Sequence, residues 1–234
     1  MLKGKVAVVT GGSRGIGFAI AQALVREQAS VSITGTSQAR INEARQQLGP
    51  DAHGVCADVR DYAAVDSALK ATVERFGGLD ILVNNAGIGI FKPVAETSLD
   101  DWNTVIGTNL TGVFHCSRAA LPHLRTRGGG WIINISSLAS KNPFPDGAAY
   151  SASKSALNAF SEALMQEVRH DGIRVACVLP GSVRTQFGGG SHGNDEWKLG
   201  PDDVAQVVTE LLTHPSRSLP SRVEIRPAQP ARKS

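Results

Sequence analysis

Short apolar runs alternate with helical patterns along the whole chain. The run Val6–Thr10 is continuous and rich in β-branched residues, which is typical of a strand buried on both faces. Similar runs predict six more strands, at Val31–Thr34, His53–Ala57, Asp80–Val83, Trp131–Ile135, Ile173–Leu179 and Arg222–Ile225. Apolar positions with a helical period predict helices between them, at Gly15–Gln28, Ala39–Leu48, Tyr62–Phe76, Leu99–Arg125, Ala149–His170 and Pro201–Leu212.

This alternation predicts parallel β-α-β units. Right-handed crossovers between the strands then build a doubly wound α/β sheet with helices on both faces. We predict strand order 3-2-1-4-5-6 with strand 7 added at the edge, and one domain over residues 1–234. Ligands bind such sheets beyond the carboxyl ends of the strands, so the residues that follow each strand are the candidates for chemistry.

Composition narrows the function classes. The 234 residues include 24 Lys and Arg against 21 Asp and Glu, and a net charge of +3 is too small to predict nucleic-acid binding. No run of about 18 apolar residues predicts a membrane span. Neither the cysteines (Cys56, Cys116, Cys177) nor the six histidines have the spacing of a metal site, and we expect a chain of the reducing cytoplasm.

A glycine-rich turn follows the first strand. Thr10–Gly17 has the sequence T-G-G-S-R-G-I-G, whose G-x-x-x-G-x-G spacing differs from both G-x-G-x-x-G and a Walker loop. Glycines let the backbone approach a pyrophosphate, and the N–H groups of the following helix attract the anion. A plain tight turn is the alternative, but the strand–turn–helix setting favours a dinucleotide.

The end of the second strand bears on the choice between NAD and NADP. An acidic residue there would bind the adenosine ribose hydroxyls, yet positions 28–42 contain no Asp or Glu. Thr36 and Ser37 stand there instead, and Arg14 in the glycine turn offers a guanidinium to a 2′-phosphate. The alternative is that Arg14 is solvated and Thr36 caps the next helix. The pattern favours NADP(H).

A second group of residues indicates proton transfer. Tyr150 and Lys154 are four residues apart and share one helix face, where the ammonium would lower the pKa of the phenol. Ser137 follows the fifth strand, and Asn109 lies inside a predicted helix, where Asn is unfavourable. Each residue alone has an ordinary structural explanation. Together, at one edge of one sheet, they indicate a catalytic site.

In this order and spacing, the motifs resemble the short-chain dehydrogenase/reductase family over nearly the whole chain. The matching segments are Thr10–Gly17, Asp58-Val59, Asn84–Gly87, Asn109, Ser137, Tyr150-x-x-x-Lys154 and Pro180-Gly181. The family's serine lies thirteen residues before the tyrosine, which selects Ser137 over Ser136. The resemblance implies a Rossmann-type sheet of order 3-2-1-4-5-6-7 and hydride transfer between NADP(H) and a small carbonyl or secondary alcohol substrate.

The same resemblance implies roles for single residues. Tyr150 would be the general acid or base, Ser137 would bind the substrate oxygen, and Lys154 would bind the nicotinamide ribose. Asn109 would hold a water that links Lys154 to solvent. The implied cofactor-binding residues are Gly11, Ser13, Arg14, Gly15, Ile16, Gly17, Thr36, Ser37, Asp58, Val59, Asn85, Ala86, Gly87, Tyr150, Lys154, Pro180, Gly181, Val183 and Thr185.

Two segments depart from the usual pattern of the family. Phe187–Lys198 is short and glycine-rich, which predicts a mobile lid that carries His192. The C-terminus lacks the glycine-bearing segment with which many relatives pack a tetramer, so we expect a homodimer through the two long helices, with a homotetramer as the alternative. Apolar residues near the expected pocket predict an apolar substrate site or ordinary packing; they are Phe91, Leu138, Phe144, Phe187 and Trp197.

Two function classes follow from these residues. The leading hypothesis is an NADP(H)-dependent oxidoreductase, and the alternative is a non-enzymatic dinucleotide sensor on the same fold. Within the enzyme class, reduction of a 3-oxoacyl thioester and reduction of a small ketone or aldehyde both remain open.

Overall fold

The computed structural model describes residues 2–189 and 195–229. Its strands are β1 (Val6–Val9), β2 (Ser30–Gly35), β3 (Ala52–Cys56), β4 (Ile81–Asn84), β5 (Gly130–Ile135), β6 (Ile173–Pro180) and β7 (Arg222–Ile225). Its α-helices are α1 (Gly15–Arg26), α2 (Gln38–Leu48), α3 (Tyr62–Phe76), α4 (Leu99–Ile106), α5 (Gly112–Thr126), α6 (Ala148–Val168) and α7 (Pro201–Leu212). Short helical turns lie at Val94–Glu96, Gly107–Thr111, Leu138–Ser140, Arg169–Asp171 and Phe187–Gly189.

The strands form one parallel sheet of order β3-β2-β1-β4-β5-β6-β7. The predicted strand order and doubly wound architecture are therefore confirmed. Chain order reverses between β1 and β4, so the segments that follow these two strands diverge and leave a crevice at the carboxyl edge. The glycine turn after β1 and the segment after β4 flank that crevice.

Successive strand residues point into two separate cores. Val83 and Ile133 pack against α1, α2 and α7 on one face of the sheet. Their neighbours Leu82 and Ile132 pack against α3, α5 and α6 on the other face. A strand covered on both sides has to be apolar at every position, which explains the continuous apolar runs of the sequence. No helix within residues 2–189 and 195–229 combines the length and the hydropathy needed to cross a membrane.

The prediction of one helix over Leu99–Arg125 is wrong. A π-helical turn at Gly107–Thr111 separates α4 from α5, and Asn109 lies inside it. A Cβ on Gly112 would come within 2.6 Å of Val59 Cγ2, so the start of α5 packs closely against the segment that follows β3. Such turns insert one residue into a helix and occur frequently at functional sites. The 3.6-residue period of the sequence continues through the insertion and gives no sign of it.

Candidate active site

The glycine turn after β1 is folded tightly against the end of β4. Gly11 and Gly15 have φ values of +62° and +55°, which glycine adopts at little cost. The side chain of Asn85 donates from Nδ2 to the carbonyls of Thr10 and Gly11, at 3.0 and 3.1 Å. A Cβ on Gly17 would lie 2.4 Å from both Asn85 Nδ2 and Gly11 O. Asn85 therefore shapes the turn, and only glycine fits at position 17.

Thr10 joins the same two strands; it begins the glycine motif but was not predicted as a site residue. Its Oγ1 accepts hydrogen bonds from the backbone N–H groups of Asn85 and Ala86, both at 3.0 Å. These donors would otherwise be unpaired where β4 ends. A hydroxyl placed directly between a buried strand and a glycine turn is the signal that could have identified it.

The amino end of α1 is open. Arg14 occupies the N-cap position with an extended backbone, and none of the described side chains caps the helix there. The first turn carries no acidic residue. The first N–H groups of an α-helix have no partner within the helix, and the helix dipole makes this end positive. This arrangement fits the pyrophosphate of a dinucleotide.

The corner between the glycine turn and β2 holds the residues on which the NADP(H) prediction rests. A Cβ on Gly35 would lie 3.4 Å from Ser13 Oγ, so the turn meets the end of β2. Ser37, and not Thr36, caps α2, because its Oγ accepts from Arg40 N at 3.5 Å. Thr36 is exposed, and the alternative that it caps the helix is wrong. Arg14 is also exposed.

After β3, Asp58 and Val59 both make polar contacts with other residues of the chain. Arg60 donates from Nε and Nη2 to the carboxylate of Asp58, with the shortest distance 2.6 Å. The Arg60 hydrogen bond holds the pKa of Asp58 below its usual value, so the carboxylate stays ionised. The backbone carbonyl of Val59 contacts Nδ1 of His115 at 3.0 Å.

Asn109 is wholly buried, and its side-chain amide joins three segments. Its Oδ1 accepts from Ile88 N at 2.8 Å, and its Nδ2 donates to Ile88 O at 2.9 Å and to Ser153 Oγ at 3.0 Å. Ser153 in turn donates to the carbonyl of Tyr150 at 2.7 Å. These bonds use both N–H donors of the amide, while its Oδ1 has a second lone pair. Ser153 was missed by sequence reasoning; its place one residue before Lys154 is the available signal.

Lys154 is a buried cation with few partners. It is 5% exposed, and its Nζ donates to the carbonyl of Ile135 at 2.8 Å. Burial lowers its pKa to about 8, because the charged form loses its hydration. An ammonium has three N–H donors, and within the described part of the chain no second acceptor is bonded to Nζ. A Cβ on Gly87 would lie 3.6 Å from Nζ, so the cation lies just beneath the chain after β4.

Tyr150 lies on the same side of α6 as Lys154 and is 9% exposed. Burial raises the pKa of its phenol, and a hydrogen bond with Ser137 opposes that rise in part. The expectation that Lys154 lowers this pKa is wrong for the protein chain alone. Lys154 Nζ lies 5.9 Å from the centroid of the ring, and loss of hydration is the larger effect.

Ser136 and Ser137 point in different directions at the end of β5. Ser136 Oγ donates to Asn158 Oδ1 at 2.7 Å and is buried between β5 and α6. Ser137 Oγ accepts from Ala139 N at 3.1 Å, and the hydroxyl is near enough to Tyr150 to oppose in part the rise of the phenol pKa. Adjacent residues of an extended strand face opposite sides, so only one of the two hydroxyls can serve the site. The choice of Ser137 over Ser136 agrees with this geometry.

The sequence matches the model of the short chain dehydrogenase family over residues 5–195. The chain belongs to this family. It is similar to an uncharacterized oxidoreductase of Staphylococcus epidermidis, with 38% identity over 226 residues that cover 97% of this chain and 98% of that protein.

Two solved structures resemble this short-chain dehydrogenase closely. One is an alcohol dehydrogenase from the archaeon Thermococcus sibiricus complexed with 5-hydroxy-NADP, with 33% identity, a TM-score of 0.88, and coverage of 98% of this chain and 99% of that chain. The other is a 3-ketoacyl-(acyl-carrier-protein) reductase from Brucella melitensis complexed with NADH. It has 29% identity, a TM-score of 0.91, and coverage of 96% of this chain and 98% of that chain. Similar chains thus bind either dinucleotide.

In this short-chain dehydrogenase, the chain that follows β6 returns towards the glycine turn. Pro180 ends the strand, and Gly181 N donates to the carbonyl of Ile225 at 2.8 Å. Val183 forms an isolated parallel bridge with Leu199, which lies just before α7. A Cβ on Gly15 would lie 3.5 Å from Thr185 Cγ2, so this segment borders the turn. The predicted lid continues into residues 190–194, which include His192 and lie outside the described residues.

The predicted apolar residues separate into two groups. Phe91, Phe144 and Phe187 come together beside Tyr150. Among the residues that the structure describes, no ring contact joins Trp197 to them. No group of three or more His, Cys, Asp or Glu residues in 2–189 and 195–229 is placed to hold a metal ion.

Proposed function

We propose that this short-chain dehydrogenase interconverts a carbonyl compound and the corresponding alcohol, secondary when the carbonyl is a ketone, with NADP(H). The observation that carries the proposal is that Tyr150, Ser137 and Lys154 lie together at the carboxyl edge of the sheet. They offer a phenol, a hydroxyl and a buried ammonium with unused N–H donors. The amino terminus of α1 is open at the same edge. When bound, NADP(H) supplies or accepts the hydride at C4 of its nicotinamide. The protein orients the reactants and moves the proton.

Ser137 and Tyr150 act on the substrate oxygen. In reduction, Ser137 donates a hydrogen bond to that oxygen as negative charge develops on it, and Tyr150 gives it a proton. In oxidation, Tyr150 removes the proton from the alcohol. Because burial raises the pKa of the phenol, Tyr150 is protonated at neutral pH, which suits reduction.

Lys154 and Asn109 support these two residues. The unpaired N–H donors of Lys154 hold the nicotinamide ribose, and through it the cofactor, next to Tyr150. Asn109 holds a water beside Lys154, in a π-helical turn of the kind that is frequent at functional sites. That water carries protons between Lys154 and solvent.

The experiment that tests this function is oxidation of NADPH with a panel of aldehydes, ketones and 3-oxoacyl thioesters. Tyr150→Phe should lose ~10²–10⁴-fold in kcat and keep its affinity for NADPH, because the ring still fits and only the proton is missing. A variant that keeps more than about a tenth of the wild-type kcat would contradict the mechanism. NADPH binding without turnover of any carbonyl would favour the sensor, although a sensor gains nothing from a costly buried ammonium.

The preference for NADP(H) over NAD(H) is the finer part of the proposal. Thr36 and Arg14 are exposed at the corner beside β2, and positions 28–42 lack an acidic residue that would repel a 2′-phosphate. Arg14→Ala should weaken NADPH binding about tenfold and leave NADH binding nearly unchanged, which corresponds to one charge-assisted contact. NADH serves as the internal control of the titration, and equal wild-type affinities for the two dinucleotides would refute the preference.

Other features of the chain bear on its oligomeric state and on its cellular compartment. We propose a homodimer through α5 and α6, where Phe114 is 43% exposed and packs on Phe160 with ring centroids 6.4 Å apart. Sedimentation should give twice the 24.6 kDa of one chain, and a mass near 24.6 kDa at micromolar concentration would refute the dimer. The three free cysteines support a reducing compartment such as the cytoplasm.

A further inference from the structure

Three phenylalanines from separate segments form a cluster beside the proposed acid, and two of them contact its ring. Phe91 lies edge-on to Tyr150, with centroids 5.7 Å apart and an interplanar angle of 78°. Phe187 lies 5.5 Å from Tyr150, tilted by 56°. Phe144 packs against Phe91 at 5.7 Å. We call Phe91, Phe144 and Phe187 the phenylalanine cluster; its members come from the segments after β4, before α6 and after β6.

The phenylalanine cluster is exposed rather than part of either core. Phe91, Phe144 and Phe187 are 38%, 43% and 42% exposed, and neighbouring exposed apolar side chains of this size usually mark a binding surface. Two lysines lie nearby in the sequence, and both are in ion pairs. Lys92 pairs with Asp101, and Lys141 pairs with Glu224. Neither of these cations is free to recognise a carboxylate or phosphate of a substrate.

Glycines bring the backbone directly under these rings. A Cβ on Gly89 would lie 2.6 Å from Phe91 Cζ and 2.8 Å from Phe187 Cε1. A Cβ on Gly188 would lie 2.6 Å from Phe91 Cε2, and the φ of Gly188 is +70°, where other residues are strained. The rings are thereby held close around the phenol of Tyr150. The surface that a substrate meets there is made of ring faces and ring edges.

We infer that the preferred substrates are uncharged aryl aldehydes and aryl ketones, whose ring binds against the phenylalanine cluster while the carbonyl oxygen meets Tyr150 and Ser137. This inference rests on the proposed function and names the substrate class of the same site. An aryl ring gains from edge-to-face and offset contacts with Phe91 and Phe187, beyond the apolar area that a saturated ring also buries. One or two such contacts correspond to about a threefold to tenfold preference in kcat/KM.

The test compares acetophenone with cyclohexyl methyl ketone, which presents the same carbonyl beside a saturated ring of similar size. We expect kcat/KM for acetophenone to be about threefold to tenfold higher. Phe91→Leu should remove most of this ratio, because Phe91 touches both other members of the phenylalanine cluster. Phe144→Leu, which alters a ring that packs on Phe91, should lower the ratio less. Phe76→Leu is the matched control. Phe76 ends α3 and packs against His53 of β3, so the ratio should stay unchanged.

The outcomes separate the substrate class from the function. A preference for the cyclohexyl ketone or for acetoacetyl-CoA, or a ratio that survives both Phe91→Leu and Phe144→Leu, would overturn the aryl inference. If turnover of those other substrates still depends on Tyr150, the proposed function stands and only the substrate class is wrong. If no carbonyl in the panel oxidises NADPH, both proposals are overturned.

Discussion

Two buried charges lie at opposite edges of the same sheet, and the chain treats them differently. At the amino edge, Asp80 is 4% exposed and accepts hydrogen bonds from Val6 N, Lys5 Nζ and Arg127 Nη2, at 3.0, 3.0 and 3.1 Å. At the carboxyl edge, Lys154 is 5% exposed and donates to the carbonyl of Ile135. One charge is compensated within the chain, and the other is not.

Their pKa values record this difference. Burial by itself would raise the pKa of Asp80, but the hydrogen bonds from Val6, Arg127 and Lys5 outweigh it and hold the pKa below its usual value. Burial lowers the pKa of Lys154 to about 8, and the chain offers too little to offset it. A structural charge is neutralised by its own protein, whereas a charge kept for a ligand remains under-paired. The difference identifies which edge of the sheet is the functional one.

Replacement of Lys154 gives the largest expected effect. Lys154→Met should lower kcat at least ~100-fold, because the acid–base group loses its support. Its stability should be unchanged or higher, since the fall of the lysine pKa from 10.5 to about 8 corresponds to about 3 kcal/mol of unfavourable burial that Met avoids. Steady-state kinetics and urea unfolding at pH 7 measure the two quantities. A variant that loses stability together with activity would break the comparison.

The opposite pattern is expected at the amino edge. Asp80→Asn should destabilise the fold by about 2–3 kcal/mol, because a buried charge-assisted network is lost, and should leave kcat of the folded enzyme unchanged. Asp171→Asn is the matched control, since Asp171 pairs with Arg125 at the surface, and it should cost less than about 1 kcal/mol. Urea unfolding compares the three proteins. Equal losses in the two variants would mean that burial does not distinguish Asp80.

The pH dependence of stability sharpens the comparison, because the two groups contribute in opposite pH ranges. The folded pKa of Asp80 lies below its unfolded value near 3.9, so its contribution is present above about pH 4 and disappears as the pH falls through the folded pKa. For Lys154, the unfolded chain keeps its proton up to about pH 10.4, while the folded chain releases it from about pH 8. Stability should therefore rise between these two values.

Thermal unfolding over a range of pH checks both signs. Asp80→Asn should flatten the loss of stability in acid, and Lys154→Met should remove its part of the rise in the alkaline range. The difference between each variant and the wild type isolates one group from the others that titrate. A wild-type minus Lys154→Met difference that does not change between pH 8 and 10 would refute the assignment for Lys154.

Much of the fold followed from the pattern of the sequence. The bounds predicted for α3, α7 and β7 agree with the structure, because continuous apolar runs and periodic apolar faces are local signals. The π-helical turn at Gly107–Thr111 was not predictable from the same signals. Directly after it, Gly112 approaches Val59 closely, and that contact joins distant parts of the chain.

The residues of the candidate site divide in the same way. The sequence by itself determined that Tyr150 and Lys154 share a helix face, since a separation of four residues is one helical turn. It also determined that a glycine-rich turn and then a helix follow β1. Only the tertiary structure decided the protonation of the site, because pKa values depend on burial and on partners that β5 and the segment after β4 supply. The same holds for Asp80, whose neutralising Arg127 lies 47 residues away in the chain. The spacing of residues along a helix can be derived from the sequence, whereas the environment of a charge is established only when distant parts of the chain pack together.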